Sequence, residues 1–177
     1  MIYLVRHGEA AASWGDHPDP GLSAKGRTQA DRVAEKLVEL GADRFVCSPM
    51  QRCRETAGPF ASRIGQAEII EPSISEIVTP DDVSDRVSWL RNLMDGVWPD
   101  DMMPWCRSAY ATVKAQPDGT AVFSHFVAIN AIAGVASADR TVLMFKPDHC
   151  SITVMERDAR GELRIAGFGH TAETKVL

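Results

Sequence analysis

The sequence predicts an α/β fold of three layers, α/β/α, with a mostly parallel central sheet between two layers of helices. Short apolar runs, which are typical of buried parallel strands, alternate along the chain with longer segments of helical periodicity. Such an alternation favours a sheet that helices cover on both faces. A length of 177 residues, 45% of them hydrophobic, is typical of one core, and we expect a single domain over residues 1–177.

The first strand and the first helix are predicted from local patterns. Residues 2–5 form an apolar run typical of a buried strand, which leads directly into Arg6 and His7. Apolar residues then recur at helical spacing from Ser23, a favourable N-cap residue, to Gly41, a common helix stop. We therefore expect a helix that packs by one apolar stripe.

A second strand is predicted at residues 45–47, and the residues after it indicate the start of a helix. Ser48 can act as the N-cap, Pro49 suits the first helical position, and Gln51 is placed for a capping box. Arg52 is then expected in the first turn of this helix.

The remaining elements continue the alternation and end in a predicted β-hairpin. One of the later strands leads directly into Ser124 and His125, so that a second strand ends in a histidine. We expect a short strand at residues 68–71, helices at 83–94 and 105–115, a strand at 120–123, a helix at 127–135 and hairpin strands at 151–156 and 163–168.

Three predicted strand ends carry side chains that suit a phosphoryl group. Ligands bind beyond the carboxyl ends of parallel strands, so His7, Arg52 and His125 are expected to converge. Arginine offers planar, permanently charged donors to phosphate oxygens, and a neutral imidazole can attack phosphorus. The pattern therefore predicts phosphoryl transfer in which side chains supply the positive charge, with no metal and no cofactor.

The charge and the cysteines argue against several classes of protein. A net charge of −5 disfavours a nucleic-acid or anionic-membrane partner, because both require a basic surface. No apolar run approaches the roughly 18 residues of a transmembrane helix, and the first residues lack the basic region of a signal peptide. The four cysteines have neither Cys-x-x-Cys nor metal-site spacing, so we expect them to be reduced in a cytoplasmic protein.

Four motifs occur in order along the chain, and together they resemble the histidine phosphatase superfamily, also called phosphoglycerate mutase-like. The likeness extends over nearly the whole sequence, since residues 150–154 and 167–172 also resemble the family's terminal strands. The motifs are RHGE at residues 6–9, LSAKGRTQA at 22–30, SPMQRCRETA at 48–57 and SH at 124–125.

The resemblance implies a role for each residue of the predicted site. By it, His7 is the nucleophile that becomes phosphorylated, Arg6 and Arg52 hold the phosphoryl oxygens, and His125 completes the pocket and takes part in catalysis. Glu76 stands where the family usually places the carboxylic acid that protonates the leaving oxygen.

The position of the general acid has competitors in the sequence. The residues after Glu76 depart from the family's usual continuation, and Glu9 and the pair Asp81 and Asp82 are the alternative carboxylates. A general acid must reach the leaving oxygen and hold its proton near the working pH. On the resemblance, Glu76 is the first choice.

Three further positions depart from the family pattern. Ala10 and Ser13 stand where phosphate-contacting Thr and Asn are common, and Phe126 replaces a common Gly. Ser13 can still donate a hydrogen bond and is expected to bind phosphate, whereas Ala10 cannot. Phe126 keeps its backbone amide but does not readily adopt a conformation reserved for glycine.

The resemblance also implies a variable substrate cap at about residues 77–119, and its many Trp and Met side chains are predicted to be core. The alternative is that they line the entrance to the site, in which case the alcohol part of the substrate includes apolar or aromatic surface. Outside the motifs, Arg54 is expected to be a surface residue. His17, His149 and His170 are expected to have structural or surface roles, with His17 the one closest to the site.

The resemblance implies a phosphatase that hydrolyses a small phosphomonoester in two steps through His7, without a metal. Three alternatives stay open: a phosphoglycerate mutase-type phosphotransferase, a protein-phosphohistidine phosphatase and a non-catalytic module that binds a phosphorylated ligand. No oligomeric state is predicted.

Overall fold

A five-stranded sheet forms the centre of the structure, a computed structural model that describes residues 1–12 and 17–169. Its strands lie in the order β2-β3-β1-β4-β5, with β1, β2 and β3 parallel to one another and β4 antiparallel to β1 and β5. Four of these five strands therefore run in one direction, which confirms the mostly parallel sheet. The strands are β1 (Ile2–Arg6), β2 (Arg44–Cys47), β3 (Thr120–Ser124), β4 (Ile152–Arg157) and β5 (Leu163–Gly167).

Helices cover both faces of the sheet, so the predicted three layers are confirmed. Helices α1 and α2 pack against one face, and α4 and α5 pack against the other. The helices are α1 (Ala24–Glu39), α2 (Gln51–Ile64), α3 (Arg86–Met94), α4 (Met103–Ala115) and α5 (Phe126–Ser137), and a short 3₁₀ helix spans Pro72–Ile74.

The apolar residues of strand β1 contribute to the apolar clusters on both faces of the sheet. Successive side chains of a strand point to opposite faces. Tyr3 and Val5 accordingly pack with α1 and α2, whereas Ile2 and Leu4 pack with α4 and α5. Burial of each large apolar side chain stabilises the fold by about 1.5–3 kcal/mol. The uninterrupted apolar run is thus explained by burial on both sides, and it fixes the position of His7 at the strand's end.

A third apolar cluster joins residues of the predicted cap to helix α5. Trp98 is buried here with Leu90 and Met94, and they pack with Phe126 and Val127, which directly follow His125. The expectation that the Trp and Met side chains of this segment are core is confirmed for Trp98 and Met94, and only in part for the side chains that pack partly buried against the same cluster, which are Trp89, Trp105, Met102 and Met103. The cluster ties the segment between Glu76 and β3 to the helix that begins at His125.

Two predicted elements differ in the structure. Helix α2 begins at Gln51 with Met50 as the N-cap residue, because Ser48 turns its hydroxyl to His125 instead of capping the helix. Residues 68–71 form only an isolated bridge between Ile70 and Cys47. The side chains of Ile69 and Ile70 are largely exposed, so they have no core to pack into. The chain then turns at Pro72 into the 3₁₀ helix, which ends the pairing after one bridge.

Helix α1 is placed against the end of β1 by its first turn. Ser23 caps the helix as predicted, its Oγ accepting from the Gly26 amide at 2.9 Å and donating to Glu9 Oε1 at 2.9 Å. The Glu9 amide donates to Gln29 Oε1 at 2.8 Å. The RHGE and LSAKGRTQA motifs are therefore two sides of one contact.

Two glycines allow this contact to be close. A Cβ added to Gly26 lies 2.1 Å from the Glu9 carbonyl oxygen, and one added to Gly8 lies 2.8 Å from the Gly26 carbonyl oxygen. Both distances are too short for a side chain, and both opposing atoms belong to backbone. Glycine is unfavourable within a helix, so Gly26 in the first turn of α1 reflects this contact and not helix propensity.

Among the described residues, no helix is long and apolar enough to cross a membrane.

We expect Gly26→Ala to lower the free energy of unfolding by about 1–3 kcal/mol, because its methyl group must displace the backbone of Glu9. Urea denaturation measures the change. Gly167→Ala in β5 is the control, since its added Cβ meets no atom within 4 Å. Equal stabilities of the two variants would contradict the close contact.

Candidate active site

His7 lies at the carboxyl end of β1 with its ring buried, and its two nitrogens have different partners. Nδ1 lies 2.8 Å from the Gly8 carbonyl oxygen, and Nε2 accepts a hydrogen bond from Arg52 Nε at 3.2 Å. Because guanidinium groups only donate, Nε2 carries no proton and Nδ1 carries it. The ring is thus held as the tautomer whose Nε2 lone pair faces Arg52.

His125 follows β3 and faces His7, with the two ring centroids 5.3 Å apart. Arg52 Nη2 donates to His125 Nδ1 at 3.1 Å, so the His125 proton is on Nε2, which donates to Ser48 Oγ at 2.7 Å. A single arginine therefore contacts both imidazoles and fixes the proton of each on the far nitrogen.

Both histidines are held neutral by their surroundings. Burial is the main cause that lowers the pKa of His7 well below 6.5, followed by His125, Arg52 and Arg6. Burial also lowers the pKa of His125 well below this value, with Arg52 and Arg6 as the next causes. A neutral imidazole keeps its lone pair, which is the state required of a nucleophile.

The Arg6 guanidinium lies beside His7 and is buried. Nη1 donates to the Pro147 carbonyl oxygen at 2.9 Å, Nη2 donates to His149 Nε2 at 3.1 Å, and the group lies 5.0 Å from the centre of the Phe126 ring. Its Nε is buried without a hydrogen-bond partner among the described residues. Burial lowers the pKa of Arg6 to about 10, which leaves the group charged at neutral pH.

Glu76 is buried in the segment after the 3₁₀ helix, with 6% of its surface exposed. Oε1 accepts from the Ile77 amide at 3.0 Å, whereas Oε2 is buried without a hydrogen-bond partner among the described residues. Burial raises the pKa of the carboxyl above 4.5, although the Ile77 amide and Arg52 act in the opposite direction. The carboxyl is therefore easier to protonate than one in water.

Two helices begin at the site. Helix α5 starts directly after His125, whose backbone is its N-cap, so the positive end of this helix adjoins the histidine. At α2, the Gln51 amide donates to the carboxylate of Asp19 at 3.0 Å, and this carboxylate lies 3.6 Å from Arg52 Nη1. A distant acidic side chain thus takes the capping position that was predicted for Ser48.

The loop after His7 is anchored from α2 as well as from α1. The Gly8 amide donates to Thr56 Oγ1 at 3.0 Å, and Thr56 Oγ1 donates to the Arg52 carbonyl oxygen at 2.6 Å. Thr56 therefore ties the loop after His7 to the helical turn that presents Arg52.

The structure brings His7, Arg6, Arg52 and His125 together, and it places Glu76 within electrostatic range of Arg52. Ser13, the remaining predicted phosphate ligand, lies outside the described residues, as does His170. Arg54 is exposed and paired with Glu68, as expected of a surface residue.

The rival carboxylates have other environments. Glu9 is partly exposed and bonded to Lys25 and Ser23, which lower its pKa, so it holds its proton less readily than Glu76. Asp81 and Asp82 are exposed.

The structure explains the departure at Phe126 but not the one at Ala10. Ala10 forms an isolated antiparallel bridge with Leu22. Phe126 is the first residue of α5 and has no left-handed backbone, so no glycine is needed there, and its ring supports Arg6.

Three residues of the site were not predicted. Ser48 and Thr56 belong to the SPMQRCRETA motif, which offered a signal, although Ser48 was interpreted as a helix cap. His149 contacts Arg6, with its ring centroid 6.0 Å from that of His7, whereas the exposed His17 was expected to be closest. The sequence around His149 carries no spacing that indicates this position.

In residues 1–12 and 17–169, no group of three or more His, Cys, Asp or Glu side chains is arranged to hold a metal ion. The four cysteines, all within these ranges, are free thiols, and Cys47, Cys53 and Cys106 are buried.

Comparison with protein families gives a match over most of the chain. A model of the histidine phosphatase superfamily (branch 1) matches residues 2–166. A probable phosphoglycerate mutase of Erwinia tasmaniensis is 32% identical over 108 residues, which cover 54% of this chain and 50% of that protein. A probable phosphatase of Schizosaccharomyces pombe is 36% identical over 63 residues, covering 33% and 30%. The matches thus span half, or less, of these curated relatives.

Solved structures share the fold at low sequence identity. Phosphoserine phosphatase from Entamoeba histolytica in complex with 3-phosphoglyceric acid has a TM-score of 0.77 and 18% identity, covering 96% of each chain. A mycobacterial glucosyl-3-phosphoglycerate phosphatase with inorganic phosphate has a TM-score of 0.75 and 19% identity, covering 98% of this chain and 99% of that one.

The neutral, buried histidines predict a pH-dependent stability. Their folded-state pKa values lie below the unfolded value of 6.5, so the unfolded chain binds protons first as the pH falls. The contribution of the two neutral histidines to the free energy of unfolding is therefore complete above pH 6.5. It is lost below that pH, by up to about 1.4 kcal/mol per pH unit for each histidine.

Urea denaturation between pH 7.5 and pH 5 measures this loss. In His125→Gln, the amide can still accept from Arg52 and donate to Ser48, but it does not titrate. We expect the variant to have a shallower decline below pH 6.5, by up to about 1.4 kcal/mol per pH unit. Identical slopes in the two proteins would show that His125 is not held neutral.

Proposed function

Because the chain belongs to branch 1 of the histidine phosphatase superfamily, we propose that it is a metal-independent phosphatase that hydrolyses a small phosphomonoester through a phosphohistidine on His7. One observation carries the proposal. The His7 ring is neutral, its proton is held on Nδ1 by the Gly8 carbonyl, and its Nε2 lone pair lies between two arginines and a second histidine.

Arg6, Arg52 and His125 are proposed to bind the phosphoryl group. Arg6 Nε is a buried donor without a partner among the described residues, and Arg52 Nε already points to the nitrogen that attacks. A phosphoryl oxygen at this position can take over the Arg52 hydrogen bond, which frees the lone pair. The start of α5 at His125 adds a positive helix end. Ser13 remains a further candidate ligand.

In the first proposed step, His7 Nε2 attacks phosphorus and the bond from phosphorus to the ester oxygen breaks. The electron pair of that bond goes to the leaving oxygen, which takes a proton from Glu76. The imidazole ring of the new phosphohistidine is cationic, and its proton stays on Nδ1, which donates it as a hydrogen bond to the Gly8 carbonyl and so stabilises the charge. The two arginines meet the charge that spreads over the phosphoryl oxygens.

In the second step, water attacks phosphorus and the bond between Nε2 and phosphorus breaks. The Glu76 carboxylate, deprotonated by the first step, takes the proton of the attacking water. Inorganic phosphate leaves, and both His7 and Glu76 return to their starting states. One carboxyl thus serves as acid and then as base, which requires a pKa close to the working pH.

The burial of Glu76 supports its assignment as this carboxyl. Burial raises its pKa, although the backbone amides of Ile77 and Val127 and the charge of Arg52 lower it, so the carboxyl can hold the transferred proton more readily than an exposed one. Glu9, by contrast, uses its carboxylate to bind Ser23 and Lys25.

The proposed substrate is a small phosphorylated molecule whose alcohol part contacts a cap at about residues 77–119 of a single domain. The structural neighbours carry 3-phosphoglyceric acid or inorganic phosphate, which supports the phosphoryl group as the recognised element. The four free thiols support a cytoplasmic site of action.

A phosphoglycerate mutase-type activity is the second candidate, because the Erwinia tasmaniensis relative is named a probable phosphoglycerate mutase. A mutase shares the first step but returns the phosphoryl group to a second hydroxyl. Release of inorganic phosphate favours the phosphatase, whereas transfer between positions of phosphoglycerate favours the mutase. A protein-phosphohistidine phosphatase acts instead on a phosphorylated carrier protein, and a binding module forms no phosphohistidine.

We expect the protein to release phosphate from p-nitrophenyl phosphate in the presence of EDTA. His7→Ala removes the nucleophile and should lower kcat by about 1,000-fold or more. Phosphate release, measured with and without EDTA, tests both points.

Arg52→Ala and Arg54→Ala form a matched pair on the same helix. Arg52 is buried against both histidines, whereas Arg54 is exposed and paired with Glu68. Only the Arg52 variant should lose activity. Turnover that requires added metal, or that survives in His7→Ala, would overturn the proposed mechanism.

Glu76→Gln should impair the hydrolysis of alkyl phosphates far more than the hydrolysis of p-nitrophenyl phosphate. An alkoxide needs a proton as it leaves, whereas p-nitrophenolate leaves readily without one, so we expect kcat/KM for glycerol phosphate to fall by about 100- to 10,000-fold. Steady-state kinetics on both substrates measure the contrast.

Glu9→Gln and Asp81→Asn are the controls for the rival carboxylates and should retain activity on both substrates. The comparison uses kcat/KM, because the second step, in which Glu76 acts as base, is common to both substrates and affects kcat. Should Glu76→Gln lower kcat/KM equally for both substrates, or Glu9→Gln show the contrast, Glu76 would not be the general acid.

A further inference from the structure

The Arg6 guanidinium is held by a segment far along the chain. The Pro147 carbonyl accepts from Nη1, and His149 Nε2 accepts from Nη2, while the Phe126 ring lies against the group. These contacts leave Nε–H as the buried donor without a partner among the described residues. The direction of that donor therefore depends on what holds the two terminal nitrogens.

The backbone that carries His149 is tied directly to β1. The Cys150 amide donates to the Arg6 carbonyl at 3.0 Å, and the Arg6 amide donates to the Ser151 carbonyl at 3.3 Å. Cys150 has a left-handed backbone with φ of 56°, which is uncommon and costs about 1 kcal/mol or more for a residue other than glycine. Surrounding contacts must maintain such a conformation, and here it places the His149 ring against Arg6.

Burial and the neighbouring Arg6 favour the neutral form of His149. Burial and Arg6 lower its pKa to about 4, although Asp148 and Glu9 raise it and Lys25 lowers it slightly. At neutral pH the ring is therefore uncharged, with the proton on Nδ1 and the Nε2 lone pair free to accept from Arg6. A cationic His149 could neither accept this bond nor lie beside a guanidinium without repulsion.

We propose that His149 is a positioning residue for phosphoryl transfer, whose neutral ring fixes the Arg6 guanidinium so that its Nε–H points at the phosphoryl group beside His7. The inference rests on the proposed function. His149 acts through Arg6, and the 6.0 Å between the His149 and His7 ring centroids puts it next to the nucleophile. With His149 removed, one anchor of two is lost, and the guanidinium can turn about the bond to Pro147.

Two substitutions separate hydrogen bonding from packing. His149→Phe keeps a flat ring but has no acceptor, whereas the side-chain oxygen of His149→Gln can accept from Arg6 Nη2. We expect His149→Phe to lower kcat/KM for p-nitrophenyl phosphate by about 10- to 100-fold and His149→Gln to stay within about threefold of the wild type.

The binding of vanadate, compared with that of inorganic phosphate, separates a positioning role from a packing role, because a loss of packing alone would not change their relative affinities. Vanadate can adopt the five-coordinate geometry of the transferring group. A misplaced Arg6 should therefore weaken the binding of vanadate more than the binding of phosphate. We expect the vanadate inhibition constant to rise at least tenfold in His149→Phe, with a smaller change in phosphate affinity. Full activity in His149→Phe, or equal impairment in both variants, would overturn the inference.

The rate of proton exchange at Arg6 Nε, measured by NMR on the intact protein, tests the positioning role independently of enzymatic activity. It should be slow in the wild type and in His149→Gln and faster in His149→Phe. A wild type without turnover or vanadate binding would refute the proposed function alone. Equal exchange in the wild type and both variants would refute the positioning role, whatever the activity.

Discussion

The site depends on one guanidinium group that contacts two imidazoles. Arg52 Nε donates to His7 Nε2, and Arg52 Nη2 donates to His125 Nδ1. Because arginine has no acceptor, each histidine must present a lone pair to it and carry its proton on the opposite nitrogen. The Gly8 carbonyl and Ser48 Oγ then accept hydrogen bonds from those protonated nitrogens. A permanently charged side chain thus determines where two mobile protons reside, and burial keeps both rings neutral.

The fold supplies the rigidity that this arrangement needs. His7 ends a strand buried on both faces, His125 immediately precedes a buried helix, and Arg52 lies in the first turn of α2. The loop after His7 is held from α1 through Glu9 and from α2 through Thr56. Most groups that touch His7 are therefore attached to regular structure, which positions side chains more accurately than free loops do.

Local patterns in the sequence were sufficient for much of the fold and for the centre of the site. The apolar run of β1 and the Ser23 cap depend on neighbouring residues, and both were predicted correctly. Ser48 and residues 68–71 were not, because their outcome depends on partners distant in the chain: His125 for the hydroxyl, and the absence of a core for Ile69 and Ile70. His149 was missed for the same reason, since the pairing of β4 with β1 carries it to Arg6.

The pairing of β1 also has a consequence for how the chain acquires its structure during synthesis. β1 is made before both of its sheet partners, β3 and β4, with Tyr3 opposite Ala121 and Val154. Loops that long delay the closure of such contacts, and non-local sheets form slowly. Until β3 has left the ribosome, the apolar strand β1 has no partner in the sheet. During this time β1 is exposed to other chains, and His7, Arg52 and His125 come together only after residues 120–125 have been made.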